Sequence, residues 1–285
     1  MSALTLAAFL LAQATSVEPG TQIRAFTLSF VDAKGAEVVD LGARDVALVE
    51  NGQTRDITSF KPDARPLAIA ILVDSSAAVG EGYRLNVVDA VVGLVARFPE
   101  GTRYALWTTG DRPTRLVELT SDKGAVGGAL RRVVPQGGNT MLDALAEAST
   151  DLAKHAREDE RTVVIAITGS GPELSSRDKY RAAEETARSR AWLLAVEFEQ
   201  AEGDLDARTN LGYVCERLAK ATGGRFDVVL SPMAIDGALR KLWAVVRGSY
   251  RLAYATAPGL KQRKLRIDIA RPGTSVLLPA TAQEP

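Results

Sequence analysis

One cysteine and one histidine, Cys215 and His155, serve a chain of 285 residues. A single thiol excludes an internal disulfide and any metal site built from several cysteines. A single imidazole makes histidine-based metal catalysis improbable. Charge of one sign is also absent, since 35 Lys and Arg offset 35 Asp and Glu. No basic surplus points to nucleic acid, and no block of like charge forms a tail. Long apolar runs are missing: the amino-terminal one, Ala3–Ala12, has ten residues, where a bilayer span takes ~20.

Nucleotide and nucleophile motifs are absent as well. Gly80-Glu81-Gly82 has Leu85 where a dinucleotide loop needs its third glycine, and no G-x-x-x-x-G-K-[ST] occurs. Gly169-Ser170-Gly171 lacks the spacing of a nucleophile elbow. His155 stands near a helix end between Lys154 and Arg157 and reads as a solvated surface residue. Cys215 recurs at helical spacing with Leu211, Leu218 and Ala219 and reads as a small core residue. Trp107, Trp192 and Trp243 each fall inside an expected element and read as core. No enzyme is expected.

What is present begins with a leader pattern. The apolar run is followed by Ala12-Gln13-Ala14, a small-x-small signal-peptidase site. Residues 1–14 are therefore expected to be a signal peptide, with a mature, exported protein (periplasmic or extracellular) starting near Thr15. Residues 20–62 read as β structure. Ala25–Val31, Ala36–Leu41, Val46–Glu50 and Thr54–Phe60 are strand-like, with Asn51-Gly52 marking a hairpin because both residues tolerate positive φ.

From Leu67 the pattern alternates. LAIAILV at 67–73 and TVVIAI at 162–167 are apolar at every position, as in parallel strands covered on both faces. Between and after them come helical periodicities, over Tyr83–Phe98 on Leu85, Val88, Val91, Val92, Val95 and Phe98, over Lys123–Val133, and over Met141–Ala156. Residues 66–248 are expected to form a doubly wound, mostly parallel α/β domain. Residues 249–285 return to alternating β pattern and are expected to pair with the amino-terminal segment in one small β subdomain.

Three polar loops sit at strand ends or helix starts of the α/β region: Asp74–Ala78, Gly137–Thr140 and Thr168–Gly171. With this ordered set the chain resembles a von Willebrand factor type A domain, and more narrowly the bacterial exported proteins that flank that domain with β segments. In that family the loops D-x-S-x-S, a threonine after glycines, and T-D-G build a metal-ion-dependent adhesion site, usually for magnesium. Asp74, Ser76 and Thr140 match and would be the metal ligands. Ala78 stands at the second serine and Gly169 at the aspartate, so a hydroxyl and a carboxylate are missing from the set. Glu173 offers a replacement carboxylate. Thr140 with Asp143 also reads as a capping-box-like start of the following helix.

The resemblance implies a non-enzymatic binding or adhesion module that meets a protein partner through this loop face. Ser75, Asn139, Ser170 and Glu173 are the expected partner contacts. The alternative is a structural part of the cell envelope whose α/β domain is a metal-free scaffold.

Overall fold

The computed structural model describes residues 22–80, 83–199, 205–260 and 262–283. The expected signal peptide lies outside them. Among the described residues thirteen strands and six α-helices run in the order β1 (Gln22–Asp32), β2 (Val46–Glu50), β3 (Gln53–Arg55), β4 (Ile57–Pro62), β5 (Leu67–Val73), α1 (Asp89–Arg97), β6 (Arg103–Thr108) and β7 (Thr114–Thr120). Then come α2 (Lys123–Leu130), α3 (Met141–His155), β8 (Arg161–Gly169), α4 (Lys179–Ala187), β9 (Trp192–Phe198), α5 (Leu205–Thr222), β10 (Arg225–Val229) and α6 (Ile235–Arg247). The chain closes with β11 (Ser249–Thr256), β12 (Leu265–Ile269) and β13 (Thr274–Leu277).

The central sheet has the order β10-β9-β8-β5-β6-β7, parallel except for the edge strand β7. Its alternation decides the two layers. Ile69, Ile71 and Val73 of β5 point into a core shared with Val91 and Leu94 of α1, Leu130 of α2, and Leu239 and Leu242 of α6. Ala68, Ala70 and Leu72 point the other way, against Leu145 of α3 and Leu211, Val214 and Cys215 of α5. Helices thus cover both faces, which is why β5 is apolar throughout. The chain leaves β5 toward β6 on one side and reaches β8 on the other. The order reverses between β5 and β8, the place where open α/β sheets form their crevice.

The remaining strands join the two ends of the chain. β1 lies between β13 and β11, with β4 outside β11, all antiparallel. A second small sheet has the order β12-β2-β3. Leu28, Phe30, Leu48, Tyr250, Leu252 and Ile267 make a core of their own between these sheets. Ser29 Oγ donates to Val245 O at the end of α6, and Phe30 N donates to Gly248 O, fastening this β unit to the α/β unit.

Several local expectations change. Ala36–Leu41 is not a strand: Asp32 Oδ1 accepts from Lys34 N and Ala36 N, Gly35 takes φ 80°, and one bridge, Val31 to Glu37, is all that pairs. The hairpin turn forms as expected, with Asn51 at φ 51° and Gly52 at φ 83°, yet the strand after it divides. β3 stays beside β2, while β4 crosses to β11 in the other sheet. Tyr83–Val88 is a π-helical turn ahead of α1. The wider turn rotates the face that is buried, so Tyr83, Val87 and Val88 go inside and Leu85 is 78% exposed.

Candidate functional site

The three polar loops meet at the β5/β8 crevice. Asp74 follows β5 directly, and its amide donates to Ile167 O of β8 at 2.8 Å. Its carboxylate turns inward. Oδ1 accepts from Ser76 N at 2.9 Å, as an Asx turn does, and Oδ2 accepts from Gly169 N at 2.9 Å and from Thr168 Oγ1 at 3.4 Å. Burial pushes the Asp74 pKa above the usual carboxylate range, against these amide hydrogen bonds that favour the charge. Ser76 Oγ and Tyr83 Oη are buried without hydrogen-bond partners among the described residues. The Tyr83 hydroxyl is held protonated by burial and by the charge of Asp74.

The second loop depends on two glycines. Gly137 takes φ 67°, and a Cβ there would meet Asp111 Oδ1 at 1.7 Å; a Cβ on Gly138 would meet Leu174 Cδ1 at 2.2 Å. Through them the loop folds under the first one, with Ala77 N donating to Gly137 O and Gln136 N to Ser75 O. Asn139 is sealed between its neighbours. Its Oδ1 accepts from Thr109 Oγ1 at 2.7 Å, and its Nδ2 donates to Thr168 Oγ1 at 2.9 Å. Thr140 Oγ1 donates to Thr109 O at 2.8 Å.

The expected capping box is absent. Thr140 makes no side-chain cap on α3. Glu173, from the third loop, does that work: its Oε2 accepts from Met141 N at 3.1 Å and its Oε1 from Ser175 N at 2.9 Å. Asp143 is spent on the same loop, accepting from Ser176 N, Ser176 Oγ and Arg177. A carboxylate at a helix amino terminus is electrostatically favourable, but burial dominates here and raises the Glu173 pKa to about 7. Sequence spacing could not reveal this cap, because its donor and acceptor lie 32 positions apart.

The residues therefore converge as three loops, but not as an open ligand set. Asp74, Ser75, Ser76, Asn139, Thr140 and Ser170 are all buried, and Glu173 is half-buried. Ser75 Oγ accepts from Gly110 N at 3.0 Å, so it too is turned inward. A magnesium ion asks for near-octahedral oxygen donors. The matching positions supply one carboxylate, both of whose oxygens already take internal hydrogen bonds, and the hydroxyls of Ser76 and Thr140, the latter donating to a carbonyl. Among the described residues no group of three His, Cys, Asp or Glu could hold a metal ion. Of the oxygens at the matching positions, only Ser76 Oγ is without a hydrogen-bond partner among the described residues.

Comparison with known proteins agrees with the fold. Residues 69–172 match the model of the von Willebrand factor type A domain. No curated protein matches the chain. Proximal thread matrix protein 1 from the mussel byssus, a structure with a zinc occupied adhesion motif, is 20% identical over 70% of this chain and 49% of its own, with a TM-score of 0.53. A von Willebrand factor type A protein from Catenulispora acidiphila is 12% identical over 93% of this chain and 73% of its own, with a TM-score of 0.51. At these identities the likeness is one of fold, and the chain spans about half the length of the mussel protein.

Proposed function

This chain belongs to the proteins that carry a von Willebrand factor type A domain, and from that premise we propose that it is a non-enzymatic, exported binding module. It grips a protein partner with the loop face at the carboxyl ends of the central sheet, and does so without a metal ion. The observation that carries this reading is where apolar side chains are exposed. Leu85, Val134 and Leu174 are 78%, 66% and 64% exposed; Leu85 stands in the π-helical turn after the first loop, Val134 precedes the second loop and Leu174 follows the third. Leu230 and Met233, each 80% exposed, follow β10 at the same end of the sheet.

A single exposed leucine is ordinary. Large exposed apolar side chains next to each of the three loops fit an interface better than a solvated surface. A cavity of about 330 Å³ at Val134, lined also by Ser75, Leu116 and Val133 among others, would admit an apolar anchor from the partner. Glu173, with a pKa near 7, is the carboxylate of this face best suited to proton transfer, but both of its oxygens are engaged by loop amides. Export rests on the leader pattern. Among the described residues no helix is long and apolar enough to cross a membrane.

The test is capture of partners from envelope extracts of the source cell by immobilised mature protein. Val134→Asp with Leu174→Asp should reduce capture at least ~10-fold, the loss expected of interface anchors. Replacing millimolar magnesium with EDTA should leave capture unchanged. Undiminished capture by the double variant would remove the loop face from the proposal; loss in EDTA with recovery in magnesium would restore the metal-dependent reading.

A further inference from the structure

At the opposite, amino-terminal end of the parallel strands, a cavity of about 430 Å³ opens between the β unit and the α/β unit. Five arginines line it: Arg24 of β1, Arg65 of the linker after β4, Arg161 at the start of β8, Arg190 after α4, and Arg251 of β11. The chain as a whole is neutral, so this is a local concentration of one sign. Glu160 is the one acidic residue among those described that line the cavity, and its charge is spent elsewhere. Its carboxylate takes two hydrogen bonds from Arg103, at 2.7 and 2.5 Å, and one from Arg157 N.

A further carboxylate, Asp63, is held by residues that line the cavity. It is shared by Arg65, which donates to both its oxygens at 2.9 and 2.6 Å, and by Arg161 at 3.7 Å. Arg161 is 5% exposed, lies over the Trp192 ring at 4.8 Å, and donates to Ser249 Oγ and Val246 O. Its Nε is buried without a partner among the described residues. A guanidinium left partly unsatisfied in the interior is costly unless something offsets it. Arg190 and Arg251 are exposed, and neither has a side-chain hydrogen bond or ion pair with the described residues.

We propose that this cavity binds a phosphate-bearing ligand that carries two or more negative charges. Planar guanidinium forks suit the tetrahedral oxyanion, because two parallel N–H groups meet two oxygens. Arg190 and Arg251 make the contacts, while Arg65, whose guanidinium is already paired with Asp63, and the buried Arg161 add positive field at the floor. The volume suits a small molecule, and a concave cluster in a neutral chain is not the extended basic surface that tracks a nucleic acid. Because the arginines come from both units, the ligand would clamp the β unit to the α/β unit. The site is independent of the loop face proposed for partner binding.

Pyrophosphate is the probe, with sodium chloride at matched ionic strength as the control and a poly-glutamate peptide as a third arm. At about 100 times its dissociation constant pyrophosphate should raise the melting temperature by roughly 5–10 °C. Arg190→Ser with Arg251→Ser should weaken binding at least ~10-fold, whereas Arg44→Ser with Arg97→Ser, exposed elsewhere, should leave it unchanged. Both pairs are surface positions, so folding is preserved and confirmed by the melt without ligand. Equal shifts in pyrophosphate and chloride, equal loss in the two double variants, or binding of poly-glutamate alone would each overturn the proposal.

Discussion

Residue by residue, the loop face is governed by two carboxylates whose pKa values rise on folding. Burial raises Glu173 to about 7, and burial raises Asp74 as well. A carboxylate that holds its proton more tightly when folded stabilises the fold below its unfolded pKa, near 4.5 for Glu173, and withdraws that stability as pH climbs through the folded value. The lowered carboxylates act elsewhere on the pH scale. Asp63, which burial would raise but which Arg65 and Arg161 hold at about 2, gives its contribution as pH rises from about 2 to 4 and is fully charged above that. Between pH 5 and 8 the raised groups decide the slope. Unfolding free energy from urea titration should fall by about 2–3 kcal/mol over that window, and Glu173→Gln should flatten the decline. A level or rising curve for the unaltered protein would contradict the burial of Glu173. None of this was legible in sequence, where Glu173 stood as a spare carboxylate for a metal and as a partner contact.

Among the elements, legibility followed the range of the forces involved. β5 and β8 declared themselves because burial on both faces demands apolar side chains at every position, a requirement that acts locally. The Asn51-Gly52 turn did so because positive φ is a property of the residues themselves. The π-helical turn at Tyr83–Val88 and the division of β3 from β4 depend on what packs against them, so periodicity misplaced Leu85 and joined two strands into one. The stop of α5 shows both kinds of constraint side by side. Gly223 takes φ 79°, the left-handed C-terminal position that favours glycine, while Gly224 lets the chain pass the sheet, since a Cβ there would lie 1.9 Å from Leu193 O. The first demand tolerates asparagine, whose Cβ would press on Pro279 at 3.1 Å; the second meets backbone at a distance no side chain can share. Gly224→Ala should therefore cost about 3 kcal/mol or more and Gly223→Asn about 1 kcal/mol, measured as shifts of the urea midpoint at constant m-value. Equal costs would mean that the close approach at Leu193 relaxes freely.

At the scale of the whole molecule, the two ends of the chain depend on each other more than either depends on its own neighbours. Alternating patterns at both ends pointed to one shared β unit, whereas the arginine cavity at its junction was invisible because positions 24, 65, 161, 190 and 251 are scattered and no spacing relates them. β1 has β11 on one side and β13 on the other, β4 has only β11, and β2 has β12 opposite β3. Removing residues 249–285 would therefore strip β1 and β4 of every strand partner and leave the β2–β3 hairpin alone, and an isolated hairpin is marginal in water. It would also take Ser249 from Arg161 and expose the apolar side chains of Leu28, Phe30 and Leu48, which are buried in the full chain. Hydrogen exchange on the shortened protein should show the amides of 22–32 and 57–62 exchanging at rates near those of unfolded chain, while β5, β8 and β9 keep measurable protection from their own two cores. Retained protection of β1 would mean that α6, through Val245 and Gly248, is enough to hold it. Global loss, including β5 and β8, would mean that the β unit is part of the cooperative core of the molecule and not an attachment to it.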